Sequence, residues 1–481
     1  MLEKIAKLLI PFLPFLLVTL FLRLPSFFEP YWQYDESITL SVAQGIRRGE
    51  VLYKEIADNK PPLLYLTMAL FGGTLLGGKI ATAIFVILAE IGFFLLAEKL
   101  LKDRKKAFIA LSIFTILINI PTFEGNLING EIFFIAPIIW GALLALSASS
   151  KKALLATGFL YGVAILFKAP AITDFGALVV FFWVMRKKSW IKDFIWLVTG
   201  GFLSFLPFIV HFLLKGAFID FLNQVFLFNF SYTTAWVPFH TNPRLFLALK
   251  LLSLLIFTFV IIRFRKRLSQ DGEGTIFLLF WLGFSVNGAM ISSRPYAHYL
   301  IQIIPPVSII LAFIIDKKWN LARTFSLLTI VFLYISVSTQ RFDFYPTVPY
   351  YRCFFAGFLT GQSTETFYYD YNPALTKIYK AAEIVENNSS KEDEILVWAD
   401  LPEIYTLTKR GVFGRYPTLY QIKSWPDGRT SLNTVLKTEK PRLIVVDKSR
   451  KLWSEIKTLM SKYQRVGKVD NLIVLSSGDE K

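Results

Sequence analysis

Seven ionisable side chains, Asp35, Glu36, Lys60, Glu131, Lys168, Arg294 and His298, stand near the ends of apolar runs in a chain of which only 18% is charged. A charged group beside a hydrocarbon core is costly unless it is paired or put to use, so residues of this kind are candidates for chemistry. Carboxylates set beside cations suit one reaction type well. The carboxylate takes a proton from an attacking hydroxyl while Lys, Arg or His stabilises the charge of a departing phosphate. The expectation is that all seven lie on one side of a membrane and line one cavity.

The elements that must position them are membrane spans. Of 481 residues, 54% are hydrophobic and 16% aromatic, and the mean hydropathy is positive, the composition of a polytopic membrane protein. The first apolar run follows Lys4 and Lys7 and has no small-residue cleavage site, so it reads as an uncleaved span with a cytoplasmic N-terminus. The stretch "PPLLYLTMALFGG" has only about 13 residues before Gly73, too few for the roughly 20 that cross a bilayer, and is placed on the outer interface. Spans are then expected at about 79–101, 107–122, 131–148, 153–168, 171–185, 191–214, 245–262, 274–291, 298–315 and 320–338, eleven with the first.

This choice is checked by charge. Every second loop must face the cytoplasm, and those loops read "KDRKK" (102–106), "SSKK" (149–152), "RKK" (186–188), "RFRKR" (263–267) and "DKKWNLAR" (316–323). All are basic, as the positive-inside rule requires. The net charge of +17 is therefore a topology signal. After residue 338 there are 21 Lys/Arg against 17 Asp/Glu, which leaves most of the excess in membrane loops and argues against nucleic acid as a partner.

Residues 1–338 thus form a transmembrane domain and 339–481 a soluble α/β domain on the extracytoplasmic face, with "EILVW" (394–398), "RLIVV" (442–446) and "NLIVL" (471–475) as buried strands and "KLWSEIKTLMSKY" as a helix. In the first outer loop Ile38, Val42 and Ile46 recur every four residues, the pattern of an amphipathic interfacial helix with Asp35 or Ser37 as its N-cap. The single cysteine, Cys353, excludes an intrachain disulfide and a cysteine-rich metal site.

"YDES" after the first span, followed by "LYKEIADNKPPLLY", resembles the first external loop of the C-class (GT-C) glycosyltransferases, which use polyprenyl-phosphate-linked sugars. The branch it is most similar to contains the protein O-mannosyltransferases, the aminoarabinose transferase of lipid A and the Rgt-type bacterial enzymes. The similarity extends to "INGEIFFIAP", "GFLYGVAILFKAPA", "SRPYAHYLIQIIPP" and "WADLPEIYTLTKR", in the family's order and sidedness.

The resemblance implies a membrane-embedded inverting glycosyltransferase of the cell membrane, moving sugar from a polyprenyl phosphate to a lipid, glycan or protein hydroxyl on the extracytoplasmic face. It implies that Asp35 is the catalytic aspartate. Glu36 is the second member of the acidic pair, or instead fixes the loop through hydrogen bonds. Glu131 matches the second acidic position, near the acceptor or metal region. Lys60 matches the lysine of the "KPP" motif and is implied to contact the lipid phosphate, with Lys168, Arg294 and His298 as further phosphate-binding residues. One departure bears on cofactors: the aminoarabinose branch has a metal-binding glutamate where this chain has Asn59. An amide is a poor ligand for zinc, so the sequence supports no zinc and leaves room only for a hard divalent cation at Asp35 or Glu131. Two rival readings are a ligase fed by a lipid diphosphate and a non-enzymatic lipid or polysaccharide transporter.

Overall fold

The computed structural model describes residues 10–147, 150–186, 189–229, 242–292, 294–315 and 320–478. Lys4, Lys7, Lys187, Lys188, the 316–319 part of one basic loop and the 230–241 part of a long loop, with His240, lie outside them. Among the described residues, eight helices are long and apolar enough to cross a membrane: Ile10–Phe27, Leu75–Leu101, Gly130–Ser147, Trp190–Leu214, Pro243–Leu268, Glu273–Met290, Ala297–Ile314 and Leu321–Gln340. Each overlaps a span expected from the sequence. The other three expected spans are helices too, Arg104–Asn119, Lys151–Phe167 and Ile172–Met185, of 16, 17 and 14 residues.

Helix starts are written in the basic loops themselves. Asp103 accepts from the backbone amides of Lys105 and Lys106, and Ser150 and Asn320 cap the helices after them in the same way. The expected interfacial segment is a helix of nine residues, Pro62–Leu70.

The chain divides into two compact units. One comprises Met1–Leu24, Thr82–His211 and Leu227–Thr347; the other comprises Pro25–Ala81, Phe212–Phe226 and Val348–Lys481. In the first, which holds most of the membrane helices, buried Asp174 accepts hydrogen bonds from Trp281 and Ser285 at 2.7 Å each and from Gln302 at 2.5 Å. Three helical segments are thereby tied at one point, and the carboxylate is fully supplied with donors.

The second unit is built round a five-stranded sheet, β1 Glu394–Trp398, β2 Gly411–Val412, β3 Leu443–Asp447, β4 Gln464–Val469 and β5 Leu472–Ser476, in the order β2-β1-β3-β5-β4. β2, β1 and β3 run parallel, while β5 is antiparallel to both β3 and β4. β1, β3 and β5 are the three strands expected from the sequence, and each carries a run of buried aliphatic residues. β4, "QRVGKV", is a largely exposed edge strand joined to β5 through Asp470 in the left-handed conformation (φ 51°).

In this same unit the spacing of Ile38, Val42 and Ile46 does produce a helix, Tyr34–Arg48, ended by Gly49 at φ 98°. Two details differ from the sequence expectation. The N-cap is Gln33, which places Asp35 and Glu36 inside the first turn. The helix is also buried on its polar side: Ser37, Thr39, Ser41 and Gln44 are covered along with Ile38, Leu40 and Val42. Ser41 donates to its own turn at Ser37 O (2.7 Å), and Gln44 Nε2 donates to Gly73 O (2.9 Å), so these donors find acceptors inside protein.

Candidate active site

Asp35 and Glu36 are neighbours in sequence with different surroundings. Glu36 is 2% exposed and lies 2.5 Å from the Lys79 ammonium, which also pairs with Glu29. Tyr350 Oη donates to the other oxygen of Glu29 at 2.8 Å. One buried cation thus holds two buried carboxylates, an arrangement stable only while all three are present. It corresponds to the loop-fixing alternative for Glu36. Asp35 is half-buried, and among the described residues its carboxylate makes no hydrogen bond or ion pair; its backbone carbonyl accepts from Thr39 Oγ1 at 2.9 Å. A carboxylate in a first helical turn that holds no partner among the described residues is free to meet a ligand hydroxyl.

The adjacent Tyr34 hydroxyl is pushed far above its ordinary range, first by burial and then by the negative charge of Asp400, Asp35 and Glu403, although a hydrogen bond with Thr418 acts the other way. Tyr34 is therefore a neutral phenol, and the region round Asp35 is acidic. Buried Glu403 is itself pushed up to about 7 by burial.

Lys60 belongs to the same unit. Its ammonium lies 3.0 Å from Asp58 Oδ2, and its side chain is 18% exposed. Tyr65 Oη donates to the same oxygen at 2.7 Å, Tyr53 Oη donates to Lys60 O at 2.8 Å, and Lys60 N donates to Tyr65 Oη at 3.1 Å. Burial raises the Asp58 carboxyl, but Lys60 and the Tyr65 hydroxyl more than offset it and leave Asp58 below the usual carboxylate range. Lys60 is thus held by both its main chain and its charge.

The first unit contains a second cluster. Lys168 Nζ donates to both oxygens of Glu131, at 2.6 and 2.7 Å, and lies 4.9 Å from the centre of the Tyr299 ring. Glu131 sits in the first turn of Gly130–Ser147, and Lys168 follows the last residue of Lys151–Phe167. Gly130 lets them meet: a Cβ there would stand 3.0 Å from Lys168 Cδ. His298 places Nδ1 2.5 Å from Glu124 Oε2, and its ring stacks on Tyr296 (5.7 Å) and meets Tyr299 edge-on (4.7 Å). Burial raises the Glu124 carboxyl, yet His298 and Lys168 bring it below its ordinary range. Arg294 is half-buried four residues before His298.

Sequence reasoning therefore named Glu131, Lys168 and His298, which the structure assembles into one cluster, and missed Glu124, which completes it. It also missed Asp58, Lys79 and Glu29. Tyr296 and Tyr299 frame His298. Asp35, Glu36 and Lys60 are held in the other unit. Among the described residues no three of His, Cys, Asp and Glu come together as a metal-holding group.

Residues 60–213 match the dolichyl-phosphate-mannose-protein mannosyltransferase family, and residues 378–474 match the C-terminal domain of the competence-induced protein Ccs4. The fold is similar to the crystal structure of ArnT from Cupriavidus metallidurans bound to undecaprenyl phosphate, with a TM-score of 0.60 and 13% identity over 96% of this chain and 97% of that one. The apo state of the same ArnT gives a TM-score of 0.58, also at 13% identity, with the same coverage. No curated protein matches the sequence.

Proposed function

We propose that this chain, a multi-helix membrane protein whose fold is that of ArnT and whose 60–213 segment is that of the polyprenyl-phosphate-sugar glycosyltransferases, transfers a sugar from a polyprenyl monophosphate to a hydroxyl acceptor on the extracytoplasmic face. The observation that carries the reading is the contrast between the locked carboxylate of Glu36 and that of Asp35, which has no partner among the described residues.

In the proposed reaction the acceptor hydroxyl gives its proton to Asp35 as its oxygen attacks the anomeric carbon. The bond from that carbon to the phosphate oxygen breaks with inversion, and its electron pair leaves on polyprenyl phosphate. Lys60 stabilises the leaving charge, with Lys168, Arg294 and His298 as further phosphate-binding candidates. The undecaprenyl phosphate bound to ArnT supports a lipid monophosphate as the leaving group.

Sidedness is supported within the first unit. A Cβ at Gly272 would stand 3.4 Å from Lys102 Nζ, so the loop after "RFRKR" adjoins "KDRKK". Elsewhere in that unit the loop before Gly130 meets His298 through Glu124 and Thr347 through Thr122. Two of the basic loops are thus neighbours, which supports a shared cytoplasmic face for them.

The test is transfer from a radiolabelled polyprenyl-phosphate hexose by the full chain in detergent, with native membrane lipids and proteins as acceptors. Label moving into one of those fractions is expected. Transfer from lipid-diphosphate glycans alone would overturn the reading in favour of a ligase.

A further inference from the structure

Asp58 is the best-connected polar group near the proposed donor-binding lysine. It is 3% exposed, and both its oxygens are engaged. Oδ2 takes Lys60 Nζ at 3.0 Å and Tyr65 Oη at 2.7 Å. Oδ1 takes Gln421 Nε2 at 2.9 Å, a residue 363 positions away in the α/β part of the same unit.

Gln421 is 1% exposed, and its orientation is set by its own helix: Thr418 Oγ1 donates to Gln421 Oε1 at 2.9 Å and caps the Leu419–Ser424 helix. The amide therefore has its carbonyl used and its amino group aimed at Asp58. The loop that carries Asp58 is gripped a second time, because Ala57 N donates to Arg415 O at 2.9 Å and the Arg415 guanidinium donates to Tyr53 O. Arg415 is in turn held by Asp220 and Asp427, at 2.7 Å each. Tyr53 takes a φ of 69°, a conformation that a bulky residue adopts only where its surroundings hold it.

A lysine ammonium is a point charge on a flexible stem, and its effect on a phosphate depends on where that charge is held. Here the stem is short of freedom at both ends, and the hold on its charge comes from a carboxylate that belongs to no part of the proposed reaction. We propose that Asp58 is a positioning residue for the donor phosphate, fixing the Lys60 ammonium, and that Gln421 gives the C-terminal α/β domain direct control over that position. This rests on the proposed function, since it assigns Lys60 to the lipid phosphate. It also gives the C-terminal domain a role in donor binding.

The experiment measures binding of unglycosylated polyprenyl phosphate to the full chain in detergent, together with donor KM and kcat for transfer, in wild type, Asp58→Asn, Gln421→Leu, Lys60→Gln and the Asp58→Asn/Lys60→Gln double variant. Loss of a charge-assisted hydrogen bond should weaken phosphate binding about tenfold in Asp58→Asn and a few-fold in Gln421→Leu. Donor KM should rise with it while kcat changes less. The double variant should bind no worse than Lys60→Gln alone, because Asp58 acts through that lysine. If Asp58→Asn fails to fold, Gln421→Leu, which leaves the carboxylate and the lysine in place, decides by the same readouts. Wild-type affinity in folded Asp58→Asn and Gln421→Leu, or additive losses in the double variant, would overturn the assignment. A wild type that neither binds polyprenyl phosphate nor transfers from it would overturn the reaction class itself, a result distinct from unchanged variants.

Discussion

The Lys79 ammonium lies 2.5 Å from the Glu36 carboxylate, and both side chains are almost sealed from solvent. Because Glu29 shares the same cation, replacing Lys79 with Met would leave two carboxylates buried without their charge partner. Such a loss costs about 3–5 kcal/mol. Lys79→Met is expected to lower the thermal midpoint sharply, whereas Asp35→Asn should leave it nearly unchanged. Equal, small shifts in both would show that the triad does not hold this loop.

Gly130 gives a steric prediction for the other cluster. A methyl group there would press on Lys168, 3.0 Å from Cδ and 3.1 Å from Cβ. Gly130→Ala should displace the ammonium from Glu131 and lower transfer about tenfold, since small misplacements at a reacting centre have effects of that order or more. Unfolding should move by about 1–3 kcal/mol, the range for overpacking. Full activity in this variant would mean that the Lys168–Glu131 geometry is not used in catalysis.

Glu403 predicts a pH effect on stability. Its folded carboxyl, pushed up to about 7 by burial, keeps a proton that the unfolded chain gives up near 4.5. Stability from this group is therefore fully present below pH 4.5 and is lost as pH rises through about 7, by on the order of 3 kcal/mol. Glu403→Gln should remove that loss, so the gain in thermal midpoint over wild type should be larger at pH 8 than at pH 5. A gain independent of pH would contradict the assignment.

Much of this architecture was legible because it rests on local signals. Runs such as "EILVW" and "NLIVL" are buried over four or five consecutive residues, so continuous hydrophobicity marked them as strands. β4 was hidden because "QRVGKV" is an exposed edge whose polar residues look like a loop. Asp35, Lys60, Glu131, Lys168 and His298 were singled out by charge at span ends and by motif resemblance. Their partners were not. Glu124 reaches His298 across 174 positions, and Gln421 reaches Asp58 across 363. No periodicity links residues so far apart. The covered polar side of the Tyr34–Arg48 helix was missed for a related reason, since Gln44 donates to Gly73 O, a carbonyl 29 positions away that the helical pattern does not reveal.

The central claim is that Asp35 takes the acceptor proton while Glu36 only holds the loop. It is tested most directly by single-turnover transfer from a labelled polyprenyl-phosphate sugar, comparing wild type with Asp35→Asn after both are shown to unfold at the same temperature and to bind polyprenyl phosphate alike. Removal of a general base should slow the chemical step at least about a hundredfold. Transfer by Asp35→Asn at the wild-type rate would contradict the account.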